Sequence, residues 1–131
     1  MFKTASAEEL YEKGCLFQGM GLLNAAIDYF RQSMTLCSDD PTLLKKIGEQ
    51  FFAADQYALS EECMRRALAL RPRDADTWLA LAKVLRAKGD FLEARIAAIY
   101  ARRFKIPLES ALWQTLGLVF NSHVEDLDLT K

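Results

Sequence analysis

The stretch that decides the fold runs Pro41-Thr-Leu-Leu-Lys-Lys-Ile-Gly-Glu-Gln-Phe-Phe-Ala-Ala-Asp-Gln-Tyr-Ala-Leu-Ser-Glu-Glu-Cys-Met-Arg-Arg-Ala-Leu-Ala-Leu-Arg-Pro-Arg-Asp74. Shifted by 34 residues in either direction, it falls on segments of the same pattern, giving repeats at 7–40, 41–74 and 75–108. The fourth column reads Leu10, Leu44, Trp78 and then Leu112; the eighth, Gly14, Gly48, Ala82; the eleventh, Phe17, Phe51, Leu85. The twentieth column is Ala26, Ser60, Ala94 and the twenty-seventh is Ser33, Ala67, Ala101. Small stays small and large apolar stays large. A fixed period of this size marks stacked supersecondary units, each burying its apolar face against its neighbours.

Within each repeat the apolar spacing is helical, not alternating, and divides into two amphipathic stretches joined by a short turn. Ser6-Ala7-Glu8-Glu9 reads as a capping box that starts a helix at Ala7. Asp40-Pro41 puts a capping carboxylate before a proline in the first turn, and Asp74 and Asp76 serve the third repeat. Gly21 and Gly89 mark left-handed turns, a task that falls to Asp55 in the middle repeat. The expected helices lie near 7–20, 22–37, 41–54, 57–70, 75–88 and 91–104, followed by a seventh at 108–122. The small columns should let paired helices approach to about 8–10 Å. On that register Ala94 is a core position that tolerates enlargement less well than Ala97.

Leu44, Gly48, Phe51, Tyr57, Ala67 and Pro72, echoed by Trp78, Ala82, Leu85, Gly89, Ala94 and Ala101, resemble the tetratricopeptide repeat. The first copy has Ser38 where proline is usual, and Pro107 comes one place late in the third. The resemblance implies an all-α fold, an α-α superhelix of three helix-turn-helix repeats plus a seventh helix. It also implies a single domain over 1–123, with an acidic tail at 124–131 expected to be disordered.

The family's concave groove is lined from columns 2, 5, 9, 12 and 13. Carried onto this chain, the resemblance implies a peptide-binding groove containing Tyr11, Cys15, Gln18, Lys45, Glu49, Phe52, Leu79, Lys83 and Arg86. Tyr11, Phe52 and Leu79 would anchor apolar side chains, while Lys45, Lys83 and Arg86 would hold carboxylates or carbonyls. A solvated helix face is the competing account of those cations. The two-carboxylate clamp used by relatives that grip chaperone C-termini needs basic and Asn side chains at positions that here hold Tyr11, Cys15, Lys46, Asp76 and Ala80. That clamp is absent.

The expected function is a non-catalytic module or scaffold that binds a peptide or helix of a partner protein. The alternative is an assembly or secretion chaperone, similar in size to the small repeat chaperones of type III secretion, acting through its last helix. That helix carries Leu112, Trp113, Leu116, Leu118, Val119 and Phe120, apolar on nearly every side. Trp113, Leu116, Leu118 and Phe120 would thus face a partner or a second copy, or be covered by Ile96, Ile99, Tyr100 and the tail.

Of 131 residues, 51% are hydrophobic, enough for a continuous core. No membrane-spanning run and no leader pattern are present, so the expected address is cytoplasmic. Positive and negative charges number 3 and 6 in residues 1–40, 6 and 5 in 41–74, 7 and 3 in 75–108, and 1 and 4 in 109–131. That gradient is too shallow for a nucleic-acid footprint. Cys15, Cys37 and Cys63 fall in three different columns and fit neither a disulfide framework nor a zinc site, so they are read as reduced thiols. The single histidine, His123, has no nucleophile motif beside it, and no glycine loop follows a strand. No catalysis, cofactor or metal is expected.

Overall fold

In the computed structural model, which describes residues 5–104, every regular element is a helix. The order is α1 (Ala7–Gly19), α2 (Leu23–Leu36), α3 (Pro41–Ala53), α4 (Tyr57–Leu70), α5 (Ala75–Lys88) and α6 (Phe91–Arg103). Consecutive helices pair as α1 with α2, α3 with α4 and α5 with α6. The chain forms two compact units, Met1–Leu70 and Arg71–Lys131. Residues 105–131, and with them the expected seventh helix, Trp113, Leu116, Leu118, Phe120, His123 and the acidic tail, lie outside the described residues.

Each helix begins and ends where its side chains require. The Ser6 hydroxyl accepts the Glu9 amide at 3.2 Å and Asp40 accepts the Leu43 amide at 3.1 Å, satisfying first-turn donors that have no helical partner. Asp74 differs: its carboxylate accepts the Thr77 hydroxyl at 2.9 Å instead of a backbone amide. Gly21, Asp55 and Gly89, spaced by the repeat period, have φ of 80°, 59° and 90°. Behind each lies the same closing pair of bonds, Leu22 and Gly21 to Phe17 and Gln18, Gln56 and Asp55 to Phe51 and Phe52, Asp90 and Gly89 to Leu85 and Arg86. These are Schellman ends, and Asp is one of the few side chains that tolerates the left-handed geometry.

In the first unit, Phe30 is the centre of the core at 0% exposure. Its ring meets Phe51 edge-on at 6.1 Å and Tyr11 at 5.8 Å, arrangements favoured by ring quadrupoles. Gly14 is small because of that ring: a Cβ there would stand 2.5 Å from Phe30 Cε1. A Cβ on Gly48 would likewise meet Met64 Cε at 2.9 Å. Ser60, fully buried, donates to the Gly48 carbonyl at 2.6 Å, which explains a hydroxyl in a column that holds alanine in the other repeats. Ser33 does the same for the Ala7 carbonyl at 2.6 Å.

The end of α2 has neither a glycine nor a basic residue in its last turn. Arg66, reaching across from α4, supplies the missing donors, with Nη1 on the Met34 carbonyl at 2.9 Å and Nη2 on the Cys37 carbonyl.

In the second unit, Trp78 stacks on Tyr100 at 4.7 Å, and its indole N–H donates to the Pro72 carbonyl at 2.7 Å. Tyr100 continues the stack to Phe104, over which the Arg73 guanidinium sits at 5.4 Å. Ala94, Ala97, Ala98 and Ala101 form the closed small face of α6. The contrast drawn from sequence between Ala94 and Ala97 therefore needs correcting. Both are 2% exposed, because positions 94, 97, 98 and 101 lie within one helical stripe and all four face inward.

Candidate peptide-binding face

In the first unit the residues expected to bind peptide come from α1 and α3. Tyr11 is divided between two environments. Its ring is half-buried against Phe30, while its hydroxyl accepts the Gln50 side-chain amide at 3.4 Å. Burial raises the Tyr11 phenol above its ordinary pKa; a hydrogen bond with Cys15 adds to this, and Gln50 opposes it by donating to the oxygen. The phenol stays neutral and offers a hydrogen-bonding tip at the edge of an apolar ring. One turn further, Cys15 is half-exposed, and Gln18 extends the same face.

On α3, Lys45 and Phe52 are half-exposed and Glu49 is exposed. Phe52 is not an open anchor along its whole ring, since it tilts against Tyr57 of α4 at 5.5 Å. Gln50, which joins α3 to Tyr11, was absent from the groove set because its column places it outside the lining positions. A polar residue between Leu16 and Val84 in an otherwise apolar column was the signal that could have found it.

In the second unit, Lys83 and Arg86 project from α5 as exposed side chains, and the Arg86 guanidinium lies 5.8 Å from the Phe91 ring centre. Leu79 corrects the sequence reading. At 6% exposure it belongs to the packed interior and offers no anchor surface.

The three cysteines are free thiols. Cys63, at 0% exposure, has its thiol pushed up to about 12 by burial, and Cys37 is raised by the same cause. Both lie in the core. Among the described residues no group of three or more His, Cys, Asp or Glu side chains converges on a metal position, and no helix is long and apolar enough to cross a membrane.

Residues 7–40 match the family model described as tetratricopeptide repeat. No curated protein matches the sequence. Among solved structures, the first such domain of Spaghetti (RPAP3), bound to the HSP90 peptide SRMEEVD, superposes with a TM-score of 0.68 at 19% identity, over 92% of this chain and 91% of that one. MamA from Desulfovibrio magneticus RS-1 superposes with a TM-score of 0.68 at 21% identity; the match covers 86% of this chain but only 63% of that one. The Sgt2 domain from Aspergillus fumigatus gives 0.64 at 20% identity, over 87% and 76%. At these identities the likeness is one of fold.

Proposed function

We propose that this chain, whose residues 7–40 match the tetratricopeptide-repeat model, is a non-catalytic protein-interaction module that captures a peptide or helix of a partner protein on the outward faces of α1 and α3. The observation that carries this reading is the set of side chains that the core leaves uncovered on α1 and α3. Tyr11, Cys15, Gln18, Lys45, Glu49 and Phe52 combine half-buried apolar surface with hydrogen-bonding tips and charges of both signs. In the second unit, taken by itself, Lys83 and Arg86 are exposed cations on α5. Rigid aromatic edges with polar tips are the usual material of binding hot spots.

Support also comes from the neighbour whose structure holds a peptide. The ligand classes differ, because Tyr11, Cys15, Lys46, Asp76 and Ala80 do not form a pair of carboxylate grips. A less acidic segment with an apolar side chain for the Tyr11 ring fits the face of α1 and α3 better. No cofactor, metal or nucleic acid is required, and the proposed setting is the cytoplasm.

The test is selection of a displayed random-peptide library on the full chain. Enriched peptides are then measured on Tyr11→Ala and on Phe52→Ala. The expected result is a loss of affinity of at least about tenfold, roughly 1.4 kcal/mol, in each variant. Unchanged binding in both, with helical circular dichroism intact, would remove this face as the working surface.

A further inference from the structure

Tyr11 is where α1 and α3 meet on the candidate face, and the charge beside it has one sign. The Gln50 side-chain amide of α3 donates to the Tyr11 hydroxyl at 3.4 Å, so the two helices come together at this level. Glu49, the residue before Gln50, is exposed, and after burial and the Cys15 bond its charge is among the causes that hold the Tyr11 phenol above its ordinary pKa. No ion pair or hydrogen bond among the described residues accounts for a carboxylate there. It stands in the second half of α3, Pro41–Ala53, where the helix dipole gives a negative charge no support. Lys45, one turn earlier, makes no ion pair with it, and lysine followed four residues later by glutamate is the weaker order for such a pair. Glu8, in the first turn of α1, adds a second exposed carboxylate to the same face. Among the lining positions of α1 and α3, Lys45 alone is a cation, and it already takes part in an interaction within the protein. Glu12 and Lys46, one column over, offset each other.

On the premise that α1 and α3 form the peptide-binding face, we propose that the partner segment is basic, with a lysine or arginine side chain whose aliphatic stem lies on the Tyr11 ring and whose cationic head meets the Glu49 carboxylate. The Tyr11 hydroxyl is occupied, since it accepts from Gln50 and is bonded to Cys15, so what this residue offers a ligand is its ring. That ring is half-exposed and held from the core side by Phe30 at 5.8 Å. An aromatic ring flanked by a carboxylate suits a cation on a hydrocarbon stem. The methylenes take the apolar surface, the ring quadrupole attracts the positive head, and the carboxylate completes the pair. An acidic segment meets the opposite field, with Glu8 and Glu49 repelling it, and a purely aliphatic one leaves Glu49 partly desolvated and unpaired. The sign of the charge thus supplies a selectivity that the Tyr11 ring by itself does not.

Selection of a displayed random-peptide library on the full chain, followed by fluorescence-anisotropy titration of the synthesised binders, tests the proposal. The expected consensus carries lysine or arginine at one fixed position. Glu49→Gln, which keeps the shape and removes the charge, should weaken such a peptide about fivefold, the upper range for an exposed charge pair. Replacing the peptide's lysine or arginine by norleucine should cost the same, and the two changes together no more than either alone. Raising the salt concentration should shrink the loss. Glu49 is exposed, so its substitution leaves the fold in place, and circular dichroism verifies this. An acidic or uncharged consensus, or binding that falls in Tyr11→Ala and Phe52→Ala but is indifferent to Glu49→Gln, would overturn the basic-segment proposal while leaving the face as the binding surface. A selection that yields no binders, or binders indifferent to all three substitutions, would remove both.

Discussion

Replacing Gly14 with alanine sets two well-measured effects against each other inside one helix. In the interior of a helix, alanine is favoured over glycine by about 0.5–1 kcal/mol, because glycine loses more backbone freedom on folding. Against that gain stands Phe30, whose Cε1, Cδ1 and Cζ would lie 2.5, 2.7 and 3.0 Å from the new Cβ. Three ring atoms inside normal contact distance cannot be relieved by a small rotation, since Phe30 is 0% exposed and bounded by Tyr11 and Phe51. Overpacking of this kind costs about 1–3 kcal/mol. With the collision at the upper end of that range, the net effect of Gly14→Ala is a loss of about 1–2 kcal/mol. In a chain of 131 residues that lowers the melting temperature by roughly 3–5 °C per kcal/mol. Gly19→Ala on the same helix is the control, because nothing lies within 4 Å of a Cβ there and only the propensity gain, at most about 1 kcal/mol, remains. Thermal melts followed by circular dichroism should move in opposite directions. Adding Phe30→Leu to Gly14→Ala should return part of the loss, a coupling between contacting residues that a double-mutant cycle isolates. If Gly14→Ala is as stable as the unmodified chain, the close approach of α1 to α2 is not what selects glycine at this column.

Arg66→Ala should destabilise by about 1–2 kcal/mol in urea titrations, because the Met34 and Cys37 carbonyls lose a charge-assisted donor. Arg66→Lys should recover only part of that, an ammonium being unable to fork between two acceptors, and amide exchange at the end of α2 should rise in both. Of the three thiols, Cys15 should react with a disulfide reagent in the native state while Cys37 and Cys63 react only on unfolding, and three equally fast thiols would contradict the packing. Because burial raises the Cys63 thiol from 9.0 to about 12, its contribution to stability is intact below about pH 9 and is lost as the pH climbs toward 12, where the unfolded chain releases a proton that the folded chain retains. Cys63→Ala should flatten the alkaline limb of the stability profile, and a profile identical to that of the parent would refute this origin.

The fold was legible in the sequence because the repeat displays its own constraints three times over. A single Asp55 says little. Standing 34 residues from both Gly21 and Gly89, it must close a helix in left-handed geometry, and its φ of 59° follows from that requirement. The same comparison explains why the glycine column could be read as a packing position, since Gly14 and Gly48 alike abut a large side chain of the following helix. What escaped the sequence is what the columns do not share. Arg66 caps a helix that lacks its own terminal glycine, and Ser60 and Ser33 tie carbonyls of first helices, each by a bond between residues 12 to 32 positions apart. Pattern reading sees what each column has in common, whereas these bonds depend on which particular pair of side chain and carbonyl the packing brings together.

The candidate face was less legible for a related reason. Family columns identify positions that point away from the core, but exposure at those positions depends on what packs beside them. Leu79 and Tyr11 occupy the same column, yet Leu79 is 6% exposed while Tyr11 keeps its polar edge beside Gln50. A column thus transfers the direction of a side chain more reliably than its availability. The departures between repeats, polar Gln50 in an apolar column and aliphatic Leu92, Ile96 and Ile99 in columns that are mostly polar, then become the informative positions. Repetition sets what the scaffold needs at each place, so a residue that breaks the pattern without weakening the core is where this chain has something of its own to contact.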